Sequence, residues 1–325
     1  MPRVFSGVQP TNNIHIGNYL GAIKNWVEMQ NQYQCIFCVV DLHAITVFQK
    51  PESLRQNILN VAKTYLALGL NSEKNIIFVQ SDVKEHAELS WILNTLAKTG
   101  EMERMTQYKD KSTRHKDNIN LGLFAYPVLM ASDILLYDTN LVPVGEDQKQ
   151  HVELTRDLAQ KFNKLYGETF VVPEPLIKKQ GARIMGLDDP GKKMSKSASS
   201  SSNYIAFSDN PAVAEKKIMK AVTDSGSEVK SGADKPALSN LLSIYSLFTN
   251  RTIKDIEKEY TGQGYGAFKK GLAEIVGEFL FDFQKKIETF EDNEVKKILT
   301  QGADRARELA TKKMELVKQK IGLNY

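Results

Sequence analysis

The chain has 325 residues, of which 42% are hydrophobic and 25% are charged. This length predicts two domains of roughly 100–200 residues each, and the ordinary composition excludes a wholly disordered chain. The 43 Lys and Arg residues outnumber the 39 Asp and Glu residues, and the formal charge of +4 permits contact with nucleic acid without requiring it. No apolar run reaches the ~18 residues of a membrane span, and the N-terminus lacks a signal-peptide core, so we expect a soluble, cytoplasmic protein without membrane contact.

The first half of the chain alternates strand-like and helical stretches. In chain order, the hydrophobic pattern predicts strands at 4–6, 36–40, 76–79 and 141–144, and helices at 16–29, 51–68, 87–96 and 147–166. Strands that alternate with helices in this way predict an α/β fold with a parallel sheet covered by helices. Trp26, Trp91 and the cysteines Cys35 and Cys38 are expected in its core.

The pattern changes after about Ala198. A run of four serines at 199–202 predicts a flexible segment by its composition. Beyond Asn210 nearly all of the chain, as far as residue 321, has helical spacing. These observations predict a domain boundary near residues 185–205 and an all-helical part after it.

A first candidate site follows the first predicted strand. Phe5-Ser6-Gly7 is followed by a break and then by His15-Ile16-Gly17-Asn18 at the start of a helix. In a fold of this kind, the turn and the helix N-terminus present N–H groups to an anion such as a phosphate. His15 and Asn18 are three residues apart and can turn toward one ligand, while Gly17 leaves room for a nucleotide. The alternative is a surface loop with a chance histidine.

A second candidate site is the stretch 191–197, which reads Gly-Lys-Lys-Met-Ser-Lys-Ser. Lysines with interleaved hydroxyl groups, after a glycine and before a serine run, predict a cationic loop that could neutralise a polyphosphate in a transition state. The alternative is a solvated charge cluster in a linker.

Together, the His-Ile-Gly-Asn and Lys-Met-Ser-Lys-Ser stretches resemble the two signature motifs of the class I aminoacyl-tRNA synthetases. Asn18 departs from the pattern, because that position is more often a histidine, and Ala198 stands where relatives usually carry an acidic residue. The resemblance implies a Rossmann-like catalytic domain at 1–190, joined by a C-terminal helix at about 290–325. It also implies that 191–290 holds the lysine loop and a helical domain that binds the tRNA anticodon.

The stretch 125–135 bears on which amino acid would be activated. It reads as a buried helix in which Tyr126, Met130 and Asp133 share one face, and Pro127 marks its start or a kink. A thioether beside a carboxylate suits an indole ring, since the sulfur packs on the ring and the carboxylate accepts the ring N–H. The alternative is that Asp133 caps or pairs structurally and the other two are core residues.

The same stretch resembles the tryptophan-binding helix of the bacterial tryptophanyl members of the family. Tyrosyl members place Gln where Met130 stands, because a phenol hydroxyl needs a polar neighbour. The resemblance therefore implies tryptophan as the amino acid, ATP with Mg²⁺ as the second substrate, tRNA(Trp) as the acceptor and a homodimer. No tightly bound protein metal is expected.

The resemblance also implies a role for individual residues. It implies tryptophan contacts at Phe5, Gly7, His43, Tyr126, Met130, Asp133, Val142, Val144 and Gln148. It implies ATP contacts at Gln9, Pro10, Thr11, Gly17, Asn18, Gly145, Glu146, Asp147, Ile184, Lys193, Met194, Ser195, Lys196 and Ser197. It assigns catalysis to His15, Asn18, Lys193, Ser195 and Lys196. Asp147 has the alternative role of a helix N-cap.

Three other functions remain open at this point. They are a tyrosyl enzyme, a smaller nucleotidyltransferase that shares the first motif, and a synthetase-like RNA-binding protein without catalysis. A basic stretch at 109–116 is either a solvated loop or a contact to tRNA phosphates. The resemblance also implies that Lys111 reaches toward the phosphates of ATP.

Overall fold

The structure is a computed structural model that describes residues 1–10, 14–109, 119–177, 184–196, 198 and 200–324. Backbone contacts divide the chain into two compact units. The first unit consists of residues 1–12, 28–178 and 291–325, and the second consists of residues 13–27 and 179–290.

One parallel sheet forms the centre of the first unit. Its strands are β1 (Arg3–Val8), β2 (Gln34–Val39), β3 (Ile76–Val79), β4 (Leu141–Pro143) and β5 (Glu174–Leu176). Their order in the sheet is β3-β2-β1-β4-β5. In register, Phe5 of β1 lies beside Ile36 of β2, which lies beside Ile76 of β3. The strand order reverses between β1 and β4, and open α/β sheets bind ligands beyond the carboxyl ends of the strands at such a point.

The helices surround the sheet in the first unit and form most of the second unit. In chain order they are α1 (Ile16–Asn18), α2 (Lys24–Met29), α3 (Asp41–Ala44), α4 (Pro51–Ala67), α5 (Glu85–Asn94), α6 (Thr99–Glu103), α7 (Leu121–Leu135), α8 (Lys149–Tyr166), α9 (Pro211–Lys220), α10 (Pro236–Thr249), α11 (Ile253–Glu259), α12 (Gly264–Ile287) and α13 (Asp292–Ile321). A π-helical turn, Tyr19–Ile23, joins α1 to α2. Short 3₁₀ turns lie at Gln80–Asp82, Glu146–Gln148 and Ser201–Asn203.

Helix α13 returns to the first unit and packs directly on β3. A Cβ atom at Gly302 would lie 1.8 Å from the carbonyl oxygen of Ile77, so only glycine allows this approach. Arg305 donates to the carbonyl oxygen of Asn75 at 3.0 Å, and Lys313 donates to that of Thr169 at 2.8 Å. Polar contacts to the backbone therefore reinforce the close packing.

Aromatic packing explains why residues 13–27 belong to the second unit. Tyr19, in the π-helical turn, stacks on Phe279 of α12 with ring centroids 4.9 Å apart. Phe207 lies 4.5 Å from Phe283 on the same helix. The N–H of Ile16 also donates to the carbonyl oxygen of Ile205 at 3.0 Å, which attaches the start of α1 to the segment after the lysine loop.

Most predicted elements are confirmed, and the exceptions have local causes. Trp26 is buried as predicted, but the prediction for Trp91 is wrong, because its side chain is 74% exposed on α5. Residues 200–202 of the serine run are also more ordered than their composition indicates: the hydroxyl of Ser200 accepts the N–H of Ser202 and begins a 3₁₀ turn. The short β5 was not predicted. Among the described residues, no helix is long and apolar enough to cross a membrane.

Candidate active site

A buried polar network lies at the carboxyl edge of the sheet, where the strands of the first unit end. Its centre is the carboxylate of Asp133 on α7, which is 1% exposed. His43 Nε2, on the short helix after β2, lies 2.8 Å from Oδ2, and His86 Nδ1, on α5, lies 2.6 Å from Oδ1. Gln80, just after β3, donates its Nε2 hydrogen to Oδ1 at 2.6 Å. The carboxylate is therefore held from three sides.

The ionisation of Asp133 follows from these contacts. Burial alone would raise the pKa of the carboxyl group, but hydrogen bonds from His43 and His86 and the charges of both rings lower the pKa well below its usual range. The group is thus an ionised carboxylate at neutral pH. Because a carboxylate can only accept hydrogen bonds, His43 Nε2 and His86 Nδ1 both carry hydrogen.

Apolar side chains from β1 and β4 flank the point where the strand order reverses. Phe5 and Val142 are buried, while Val144 is half-buried. A Cβ atom at Gly7 would lie 2.8 Å from Val40 Cγ1, so the end of β1 has no room for a side chain there. This apolar surface, next to a buried carboxylate, can accept a flat ring that carries one N–H group.

Tyr126 lies one turn before Met130 on α7, and its hydroxyl already has a protein partner. His151 Nε2 lies 3.0 Å from the Tyr126 hydroxyl, and burial raises the pKa of this phenol. The Tyr126 ring also meets His43 edge-on at 6.2 Å. His43 therefore touches two of the predicted tryptophan contacts.

The segment after β4 carries the predicted ATP contacts Gly145, Glu146 and Asp147. Glu146, Asp147 and Gln148 form a 3₁₀ turn, and the Gln148 amide donates to Asp147 Oδ2 at 3.2 Å. Asp147 lies inside this turn and does not cap α8, so the N-cap alternative is wrong. A Cβ atom at Gly145 would lie 2.8 Å from Asp147 Oδ1, which places the exposed carboxylate over the glycine.

In the second unit, the first signature motif forms the start of α1. The His15 N–H donates to Asn18 Oδ1 at 3.1 Å, so the asparagine caps its own helix with its oxygen and keeps its two N–H donors for a ligand. A Cβ atom at Gly17 would lie 3.0 Å from the His15 ring and 3.3 Å from Met194 Sδ. The glycine therefore brings the first motif into contact with the second.

His15 is buried and its ring nitrogen Nδ1 has no hydrogen-bond partner among the described residues. Burial, and then the charge of Lys193, lower the pKa of His15 to about 4. The ring is thus neutral at pH 7 and can exchange hydrogen bonds with a phosphate without adding positive charge.

The lysine loop is held by its backbone. Lys193 forms an antiparallel bridge with Met185, and the Met194 N–H donates to the carbonyl oxygen of Ile184 at 2.9 Å. The side chain of Met194 is buried, whereas those of Lys193 and Lys196 are exposed. The loop therefore presents cationic groups from a fixed backbone.

Two buried asparagines, which sequence reasoning missed, hold this arrangement. Asn203 accepts the Ser195 N–H through Oδ1 at 3.0 Å and donates to Asp188 at 2.6 Å. Asn240 both accepts from and donates to the backbone of Met185, at 2.9 Å each. Since buried polar groups are hydrogen-bonded, the burial of these two amides indicates their role, and burial is visible only in the structure.

The structure thus groups the predicted residues by unit. The predicted tryptophan contacts, with Gln9, Pro10 and the turn after β4, lie in the first unit, and both signature motifs lie in the second unit. Thr11, Ser197 and the basic stretch from residue 110 to residue 116 lie outside the described residues. A surface cavity of about 640 Å³ in the first unit, along α8 and residues 168–172, contains none of the predicted residues.

His86 and Gln80 were also missed. The sequence assigns no role to His86, yet its ring is fully buried between Asp133 and Tyr137, with Nε2 2.8 Å from the tyrosine hydroxyl. No group of three or more His, Cys, Asp and Glu side chains in the described part of the chain is placed to hold a metal ion.

Comparison with known proteins identifies relatives over the whole length. The family profile described as tRNA synthetases class I (W and Y) matches residues 1–281. The tryptophan–tRNA ligase of Caldanaerobacter subterraneus is 53% identical over 324 residues, which cover 99% of each chain.

Solved structures agree with this. The tryptophanyl-tRNA synthetase of Mycoplasma pneumoniae superposes with a TM-score of 0.92 at 36% identity, covering 99% of this chain and 98% of the other. The tryptophanyl-tRNA synthetase of Campylobacter jejuni, solved with ADP and tryptophan, superposes with a TM-score of 0.84 at 40% identity, covering 98% and 99%.

Proposed function

Because the chain belongs to the class I tRNA synthetases of the tryptophan and tyrosine family, we propose that it joins tryptophan to its tRNA in two steps. The observation that carries this proposal is the buried, ionised carboxylate of Asp133 on the same helix face as Met130. An ionised carboxylate can accept the indole N–H, and the thioether of Met130 packs on the ring without offering a phenol hydroxyl a polar partner.

In the first step, a carboxylate oxygen of tryptophan attacks the α-phosphorus of ATP. A bond forms between that oxygen and the α-phosphorus. The bond between the α-phosphorus and the oxygen that bridges it to the β-phosphate breaks, and pyrophosphate leaves with the electron pair. The attacking carboxylate is already ionised at neutral pH, so the step needs no general base. Catalysis then consists of positioning and of charge stabilisation.

We assign the charge stabilisation to the second unit. Neutral His15 and the amide of Asn18 would hydrogen-bond the triphosphate near its α-phosphate, and exposed Lys193 and Lys196 would balance the charge on the departing pyrophosphate. Asp147, exposed beside Gly145, would accept from the ribose hydroxyls. Mg²⁺ would arrive as part of the ATP substrate, held mainly by phosphate oxygens and water.

In the second step, a hydroxyl of the terminal tRNA ribose attacks the carbonyl carbon of the adenylate. The new ester bond forms, the acyl–phosphate bond breaks, AMP leaves, and the hydroxyl proton is released. The helices α9–α12 of the second unit would read the anticodon, and Lys109 would belong to a wider contact with tRNA phosphates.

We propose that the chain is a cytoplasmic homodimer. An exposed apolar patch consists of Ile45, Phe48, Ile119 and Leu121, of which Phe48 is 78% and Leu121 84% exposed. Asn120 Nδ2 donates to the carbonyl oxygen of Thr46 at 2.9 Å and so brings the two segments of the patch together. A contiguous apolar patch of this kind is typical of an interface. Sedimentation of the whole chain at micromolar concentration should give twice the monomer mass.

The experiment that tests the function is ATP–pyrophosphate exchange with tryptophan and tyrosine in parallel. We expect exchange with tryptophan only. Exchange with tyrosine would support the proposed ATP chemistry but show that the assignment of tryptophan as the substrate is wrong. Exchange with neither amino acid, combined with intact tRNA binding, would identify a non-catalytic RNA-binding protein.

A further inference from the structure

The side chains behind Asp133 define which of its oxygens a ligand can reach. Oδ1 already lies 2.6 Å from Gln80 Nε2 and 2.6 Å from His86 Nδ1, and a carboxylate oxygen has about two acceptor positions. Among the described residues, Oδ2 has one such partner, His43 Nε2 at 2.8 Å. One acceptor position on Oδ2 therefore remains.

The orientation of the Gln80 amide follows from the chain itself. Its Oε1 accepts the backbone N–H of Leu42 at 3.1 Å, and a backbone N–H can only donate. The other end of the amide, Nε2, must then face Asp133 as a donor. Gln80 is fully buried, so water does not compete for either contact.

His86 is oriented at both ring nitrogens. Nδ1 donates to Asp133, while Nε2 meets the hydroxyl of Tyr137 at 2.8 Å. The Tyr137 ring in turn stacks on Phe5 at 5.7 Å with an interplanar angle of 7°. Ser132 Oγ adds a bond to the His86 carbonyl oxygen at 3.0 Å and so fixes α5 to α7 next to the carboxylate.

We propose that His86 and Gln80 are positioning residues that saturate Oδ1 of Asp133 and hold the carboxylate so that Oδ2 receives the indole N–H of tryptophan. The inference rests on the proposed function and adds residues that act on the amino acid only through Asp133. Neither residue would touch the substrate, and both would set the discrimination in favour of a ring that carries an N–H group.

The test compares L-tryptophan with 3-(benzothiophen-3-yl)alanine, in which sulfur replaces the ring N–H while the shape is kept. Pyrophosphate exchange is measured for the wild-type chain, for His86→Gln and for His86→Asn. In His86→Gln, the glutamine amide replaces the ring nitrogen Nε2 that faces Tyr137, and the N–H donor at the Nδ1 position, which faces Asp133, is lost. Asparagine retains an N–H donor near the Nδ1 position and is the matched control.

We expect His86→Gln to lower kcat/KM for tryptophan roughly tenfold, the order of one lost hydrogen bond, through a higher KM. The KM for ATP and the kcat/KM for the benzothiophene analogue should change less than about twofold, because the analogue does not use the carboxylate. His86→Asn should restore most of the tryptophan value.

An equal loss for both amino acids would overturn the inference, since a merely structural role of His86 does not distinguish N–H from sulfur. If His86→Gln fails to fold, Gln80→Met removes a different donor from the same oxygen and must show the same selective loss. Absence of tryptophan-dependent exchange in the wild-type chain would instead overturn the proposed function, whatever the variants do.

Discussion

The predicted tryptophan contacts and the lysine loop differ in the kind of atom that holds them. Around Asp133 in the first unit, buried side chains fix one another, with His43, His86 and Gln80 all bonded to one carboxylate. In the lysine loop of the second unit, backbone bonds and the buried asparagines hold the chain while Lys193 and Lys196 stay exposed.

This difference follows from the proposed ligands. A rigid ring with one N–H group is selected by a preorganised acceptor. A ring without that group would leave the buried acceptor unpaired, which costs free energy of binding. A triphosphate has charge on many oxygens, and the charge moves during the reaction, so long cationic side chains on a fixed backbone can follow it. Substitutions that break one of these two arrangements test how sharply they differ.

Removal of one loop lysine should have the largest effect. Lys196→Ala is expected to lower the rate of pyrophosphate exchange on the order of 10²–10³-fold, because the charge on the departing pyrophosphate loses a counter-charge. Affinity for tRNA should change little, which a filter-binding assay can measure. Lys192→Ala is the matched control, since Lys192 is exposed on the same loop and pairs with Asp189 at 3.1 Å. A similar loss in both variants would show that overall loop charge, and not Lys196, is what matters.

Asp133→Asn should come second and affect tryptophan rather than ATP. One of the two acceptor oxygens becomes a donor that faces the donors of His43, His86 or Gln80, so we expect kcat/KM for tryptophan to fall roughly 50-fold. The KM for ATP should stay within about twofold of wild type. Asp304→Asn, an exposed change on α13, controls for loss of charge in the same unit. An unchanged KM for tryptophan would rule out Asp133 as the indole partner.

Gly186→Ala should have a smaller effect on the loop. The new Cβ atom would lie 2.0 Å from Asn203 Nδ2, so the asparagine must move and release the Ser195 N–H. We expect exchange activity to fall about tenfold, as for a modest misplacement of reacting groups. Gly266→Ala, which has no neighbour within 4 Å of the new Cβ, should leave activity unchanged. Full activity of Gly186→Ala would show that Asn203 does not position the loop.

The smallest effect concerns His15 and pH. Its pKa is about 4 in the folded chain, below the ordinary value of 6.5, because of burial and then the charge of Lys193. Between these two pH values only the unfolded chain binds the proton. The stabilisation of the folded chain by neutral His15 is therefore complete above pH 6.5 and is lost as pH falls toward 4. From pH 7 to pH 5, wild type should lose about 1–2 kcal/mol more free energy of unfolding than His15→Gln. Urea unfolding at both pH values measures this, and equal losses would contradict the lowered pKa.

The fold could be predicted to a large extent because its signals are local. The buried strands carry continuous apolar runs, as at 36–40 and 76–79, and proline and glycine bracket α4. Trp91 shows the limit of this reasoning, since hydrophobic character alone does not distinguish a core position from an exposed face of α5. The π-helical turn at Tyr19–Ile23 stacks Tyr19 on Phe279, which lies far away in the sequence.

Site residues could be predicted where they belong to a sequence motif. They could not be predicted where their hydrogen-bond partners come from distant segments of the chain. Asp133 could be found from its place on the face of α7, but its partners come from three other segments of the chain. Nothing near His86 in the sequence indicates that it meets Asp133, 47 residues away. The roles of Asn203 and Asn240 were not predictable for the same reason, since their partners Ser195 and Met185 lie elsewhere in the chain.

The packing of α13 on β3 has a consequence for synthesis on the ribosome. Asn75 and its partner Arg305 are 230 residues apart, and Gly302 meets Ile77 across a similar distance in the chain. While the intervening chain is made, the face of β3 that α13 covers stays exposed to water. The sheet therefore cannot complete its core before this helix has emerged from the ribosome, and until then the nascent chain offers chaperones an apolar surface.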